Sequence, residues 1–225
     1  MQTEAPINPL PWVVWLLALP MIAMELAFAL GQSGLTSNPG ALGWRLEAVE
    51  RFAFFPQIFK AMWAAGDWPP QHVMRIVLYP FVQGSVTQAI FAVVILLALG
   101  KTVGEAFRPV AVLVVFFGAA IAGALVFMAL PGNVMPLYGA YPAVYGLIGG
   151  FTFLLWVNLA GTGSNPYRAF SLIGLLMGVQ LIFAALFGGG LQWVADLAGF
   201  AAGFLLSFLV SPGGWSRVIA RVRQR

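Results

Sequence analysis

No cysteine occurs among the 225 residues, histidine occurs once, and charged residues make up 8% of the chain. The missing cysteine removes any disulfide framework and leaves no mark of a redox compartment. The scarcity of charge excludes more. Soluble domains carry about 25% charged residues, so the polar cover of a water-soluble surface is absent. An apolar content of 61% also excludes disordered and collagen-like classes. What is present is a mean hydropathy of +0.92, the value of an integral membrane protein. A spanning helix takes about 20 residues, so six would use roughly 120 and leave about half of the chain for loops and ends. That arithmetic fits one bundle and not two domains.

The first long apolar run covers residues 12–31. Ala27-Phe28-Ala29 resembles a leader cleavage site, but Glu4 and no Lys or Arg precedes the run. The run is also too long, so it reads as a retained span. Gly31-Gln32-Ser33-Gly34 and Ser37-Asn38-Pro39-Gly40 then mark a loop. Further on, Trp44, Ala48, Phe52 and Phe55 recur at helical spacing, with Arg45, Glu47, Glu50 and Arg51 between them. Such a pattern belongs to a helix lying in the membrane interface. Pro56 and Pro69-Pro70 break it, and Phe54, Phe59, Trp63 and Trp68 are too many aromatics for a solvated loop. The long first loop is therefore expected to be partly embedded. Five more spans are expected at 76–100, 107–130, 143–161, 169–187 and 191–210. Residues 1–11 form the N-terminus, 12–211 the membrane domain and 212–225 a basic tail.

Charge sets the orientation. With six spans and an N-terminus inside, Lys101, Arg108, Arg168, Arg217, Arg221, Arg223 and Arg225 fall on the cytoplasmic side. Arg45, Arg51, Lys60 and Arg75 fall outside, all in the first loop. The bias places both termini in the cytoplasm. The net charge of +4 is dispersed except at the tail, which fits anionic lipid rather than nucleic acid.

Two ionisable residues lie within apolar runs, Glu25 in the first and Asp196 in the sixth. Such residues are costly in hydrocarbon, face the bundle interior and mark sites. The plainer reading of Asp196 is a structural hydrogen-bonding residue, and of Glu25 a polar contact with the first loop. Ala195, Gly199 and Gly203 form a small-residue stripe, matched by Gly139, Gly146, Gly149 and Gly150 near the fourth run. Small residues facing small residues let membrane helices approach closely. Pro142 stands where a helix would begin, a position that tolerates a missing N–H.

Three stretches in order carry a resemblance. Arg75-Ile76-Val77-Leu78-Tyr79-Pro80-Phe81-Val82-Gln83-Gly84-Ser85 resembles the start of the second helix of rhomboid intramembrane serine proteases. Gly139-Ala140-Tyr141-Pro142-Ala143-Val144-Tyr145-Gly146-Leu147-Ile148-Gly149 resembles their nucleophile segment, and Ala195 to Gly203 their base-bearing helix. The resemblance implies an all-α membrane protein, a six-transmembrane-helix rhomboid-like bundle. It also places Tyr141 at the family's serine, Pro142 at the following glycine and Asp196 at the histidine. Gln88 and Ala92 stand where the family offers oxyanion side chains, and Gln83 where it has an earlier histidine. Arg75, Gly84, Gly139, Tyr145, Gly199 and Gly203 are as the family would have them.

Chemistry weighs these replacements. A serine nucleophile needs a base within hydrogen-bond reach. A phenol holds its proton to about pH 10, and a carboxylate is about six units too weak a base for it. The sole histidine, His72, precedes the second helix and cannot substitute. Tyr141, Asp196 and Gln88 are expected to converge, bond to one another and plug the old cavity. The expected protein is a catalytically inactive rhomboid homologue that binds transmembrane segments of client proteins, without metal or cofactor. The expected setting is a bacterial inner membrane. An active protease using other residues is the alternative. A small transport subunit centred on Glu25 and Asp196 ranks lower, since the runs show no inverted repeat.

Overall fold

A computed structural model describes residues 9–33, 39–187 and 190–211. Residues 1–8 of the expected N-terminus, Arg217, Arg221, Arg223 and Arg225 of the basic tail, and the loop residues 34–38 and 188–189 lie outside the described residues. The described chain is helical, and its one β-type pairing is an isolated bridge between Phe54 and Leu137.

Helix α1 spans Trp12–Gln32 and contains Pro20. The first loop then folds into α2, Trp44–Phe52, and α3, Pro56–Ala65. Two single turns follow, α4 at Pro70–Val73 and α5 at Arg75–Leu78. Pro56 and Pro70 each open a helix, because the first turn needs no N–H at that position. The interfacial pattern is confined to α2, whose Ala48 packs with Phe28 and Val82. Phe55 lies beyond it, at the start of α3. Phe54 and Phe59 are buried, with ring centroids 4.3 Å apart, whereas Trp63 and Trp68 stay exposed and meet edge to face.

The second expected span starts later than 76. After α5 the chain makes a 3₁₀ turn at Tyr79–Phe81, and the long helix α6 runs from Val86 to Ala106. Pro80 lacks the N–H a continuing helix needs. Ser85 restarts the helix, its side-chain oxygen accepting the Gln88 N–H at 3.2 Å. At the other end Lys101 and Glu105 lie inside α6 as an i,i+4 pair, not in a connection.

Helices α7, Pro109–Ala129, α8, Tyr141–Gly161, and α10, Gln192–Val210, pack against one another and form the centre. Their contact is made by backbone. A Cβ on Gly199 would fall on the Pro142 backbone, and one on Gly203 on the Gly146 backbone. Gly149 likewise faces the backbone of α10, and Gly123 of α7 meets Pro142 and the Ala195 carbonyl. With lipid as solvent no hydrophobic drive separates helix from surroundings, so close backbone approach supplies the dispersion energy instead.

Five helices, α1, α6, α7, α8 and α10, are long and apolar enough to cross a membrane. The expected run 169–187 is shorter. It opens with a 3₁₀ turn, Pro166–Phe170, because Asn165 caps that turn through the Tyr167 N–H, and the helix α9, Ser171–Phe187, has 17 residues. That length sits at the lower limit for a span.

Candidate functional site

The segment before α8 is held from two sides. Gly139 adopts a φ of +98°, which a side chain would strain. Its N–H donates to the Tyr79 carbonyl at 3.1 Å, and the next N–H, of Ala140, donates to Gln83 Oε1 at 3.3 Å. Gln83 is buried, and its Nε2 donates to the Pro80 carbonyl at 2.8 Å. Tyr79 reaches across to α7, donating its hydroxyl to the Ala120 carbonyl at 2.8 Å. The bend at 79–85 therefore fixes where α8 begins.

A cavity of about 400 Å³ opens beside that start. It is lined by Ser85, Thr87 and Gln88 of the α6 start, Tyr138 and Tyr141 at the α8 start, Gln180 of α9, and Gln192 and Asp196 of α10. Tyr141, Asp196 and Gln88 thus share one cavity. They do not bond to one another. Asp196, 3% exposed, accepts at Oδ2 from Gln180 Nε2 at 2.7 Å. Gln180 Oε1 accepts in turn from the Tyr145 hydroxyl at 3.4 Å. Gln88 Oε1 accepts the Gly84 N–H at 3.0 Å. The expected mutual plug is absent: Gln88 is engaged by the Gly84 N–H and Asp196 by Gln180.

The remaining candidate residues do not line this cavity. Ala92, one turn further along α6, is fully buried in the core and does not line it. Gly84 faces the Tyr138 ring, where a Cβ would meet Cε2 at 2.7 Å. Arg75 is engaged elsewhere. It donates to the Glu50 and Ala53 carbonyls at 2.9 and 3.1 Å, closing the end of α2, and lies over the Phe55 ring. Burial lowers its guanidinium from the ordinary value, which leaves an arginine charged all the same. His72 sits on α4, away from the cavity lining.

Glu25 forms a two-point ion pair with Arg45 of α2, with each side chain 15% exposed. Arg45 also donates to the Gln83 carbonyl at 2.9 Å and lies 4.8 Å from the Phe28 ring centroid. Through Gln83 the pair connects α1 and the first loop to the α8 start. Two residues escape the sequence reading, namely Gln180 and Gln192, because a neutral amide carries no charge to stand out. The signal was nonetheless there for Gln180, the lone amide in a long apolar run.

Chemically the site offers amides, hydroxyls and one carboxyl around a cavity among apolar helices. Architecture and composition are those of an integral, multi-pass membrane protein. The sequence matches the family model described as Rhomboid domain over residues 70–213, more than half of the chain. The chain belongs to the rhomboid family. No curated protein matches it.

Proposed function

We propose that this rhomboid-family protein is a pseudoprotease, which binds transmembrane segments of client proteins and does not cleave them. One observation carries the reading: where α8 begins against α10 the side chains are Tyr141 and Asp196, and the carboxyl is held by Gln180. Among the described residues no histidine lines the cavity. Its serine, Ser85, caps α6 by accepting the Gln88 N–H, and no side-chain base among the described residues is hydrogen-bonded to it. Losing either a nucleophile or its base alone costs about 10⁶-fold in a serine protease. A fold that admits a helix for cleavage keeps its binding surface without the chemistry, and an open polar cavity supports that role. The reading includes six spans, with α9 as the fifth in order and the shortest, and both termini in the cytoplasm of a bacterial inner membrane.

The test uses purified protein, a serine-directed fluorophosphonate probe and a generic transmembrane substrate. Neither labelling nor cleavage is expected. Labelling of the unaltered protein at Ser85, or at any other serine, would overturn the proposal. A variant carrying Tyr141→Ser, Pro142→Gly, Gln88→His and Asp196→His should gain weak labelling, since the restored pair sits at the α8–α10 contact while its supporting shell is missing. Ala92 is left unchanged because an amide would be buried there.

A further inference from the structure

Asp196 is an acid without a counter-ion. Its exposure is 3%, and neither ion pair among the described residues includes it. Among the described residues no Lys or Arg lines the cavity, and Arg45 and Arg75 are committed elsewhere, to Glu25 and to two carbonyls. Of the two carboxyl oxygens, Oδ2 takes the Gln180 amide, and Oδ1 has no hydrogen bond among the described residues. The other walls are neutral: Gln88, Gln192, Tyr138 and Tyr141. In its ionised form a buried carboxyl with one open oxygen facing a polar cavity is best matched by a donor-only group.

We propose that the cavity between Asp196 of α10 and Gln88 of α6 takes the lysine or arginine side chain of a client's transmembrane segment. This rests on the client-binding reading above and names the chemistry of the client. The complementarity runs both ways. A basic residue inside an apolar helix is costly in lipid, and such a helix gains most from a surface that supplies a buried acid. About 400 Å³ has room for a long aliphatic stem and its charged head, with Tyr141 and Gln192 as further acceptors.

The experiment uses the full-length protein in phosphatidylcholine nanodiscs. The probes are fluorescent leucine–alanine helices of about 24 residues, carrying one lysine, one arginine or one methionine scanned along the length. The basic helices should bind about tenfold or more tighter than the methionine helix. Asp196→Asn, which keeps an acceptor for Gln180, should bring the affinities together. Equal binding of basic and methionine helices by the unaltered protein overturns this inference and leaves client binding standing. Binding of neither helix by folded protein overturns both. A preference that survives Asp196→Asn removes Asp196 from the site and overturns the proposal. So does a preference lost when phosphatidylethanolamine replaces half of the lipid, because a headgroup ammonium is then the occupant. Should Asp196→Asn fail to fold, a membrane-permeant carbodiimide on the unaltered complex decides. An amide crosslink from Asp196 to the probe lysine supports the proposal, and crosslinks at other carboxyls alone overturn it.

Discussion

At the residue scale the Glu25–Arg45 pair makes the sharpest demand. Both side chains are largely buried, and removing one partner leaves a charge that neither lipid nor protein solvates. Arg45→Ala is expected to cost about 3–5 kcal/mol, read as a lower melting temperature in detergent. The double variant Glu25→Leu with Arg45→Met should lose much less, since no charge is stranded. Equal losses in the single and double variants would show that packing, and not pairing, is what Arg45 contributes. The two members were unequally visible in the sequence. Glu25 stands alone in an apolar run, whereas Arg45 sits among Glu47, Glu50 and Arg51 as one of several charges on an interfacial helix. Which of those charges turns inward depends on how the loop docks, and spacing does not encode that. Asp196 and Gln180 repeat the lesson: both interrupt apolar runs, but nothing in the spacing pairs the one with the other.

At the scale of elements, the glycines of the packed helices separate into those that touch and those that do not. Gly199→Leu is expected to cost about 1–3 kcal/mol, because the side chain must displace the Pro142 backbone. Gly174, in the interior of α9, meets nothing within 4 Å. Gly174→Ala should therefore stabilise by about 0.5–1 kcal/mol through helix propensity alone. Comparative melting of the two variants in one detergent checks both signs. The same elements show what hydropathy resolves. The limits of α1, α7, α8 and α10 fall within two residues of the apolar runs, since a span is little more than its length and composition. The 76–100 run hid a bend, because Ile76, Val77 and Leu78 are as apolar as the helix that follows Ser85. There hydropathy is silent, and Pro80 and Ser85 were the informative residues.

For the whole molecule the expectation concerns orientation. Seven basic residues fall on one side of a six-span arrangement and four on the other. Reporter fusions after Arg168 and after Arg225 should both report cytoplasm, and a fusion near Pro136 the opposite side. An external C-terminus would remove α9 as a span and reduce the count to the five helices of full length. The first loop holds all four of the opposing charges, and two of them, Arg45 and Arg75, are committed to pairs and carbonyls within the protein. Those two serve the structure, so the bias that acts on topology is larger than a bare count conveys.

The contact of α10 with both α7 and α8 also bears on biosynthesis. Helix α10 begins about 60 residues after α7 ends, so a ribosome adding about 5–20 residues per second delivers it roughly 3–12 seconds later. Until then Gly123 of α7, and Gly149 once α8 has been made, lack the α10 backbone against which they pack. The centre of the molecule is thus the last part to close, and a nascent chain waits with its best adhesive surface uncovered. Any small-residue helix passing during those seconds competes for the place that α10 will take.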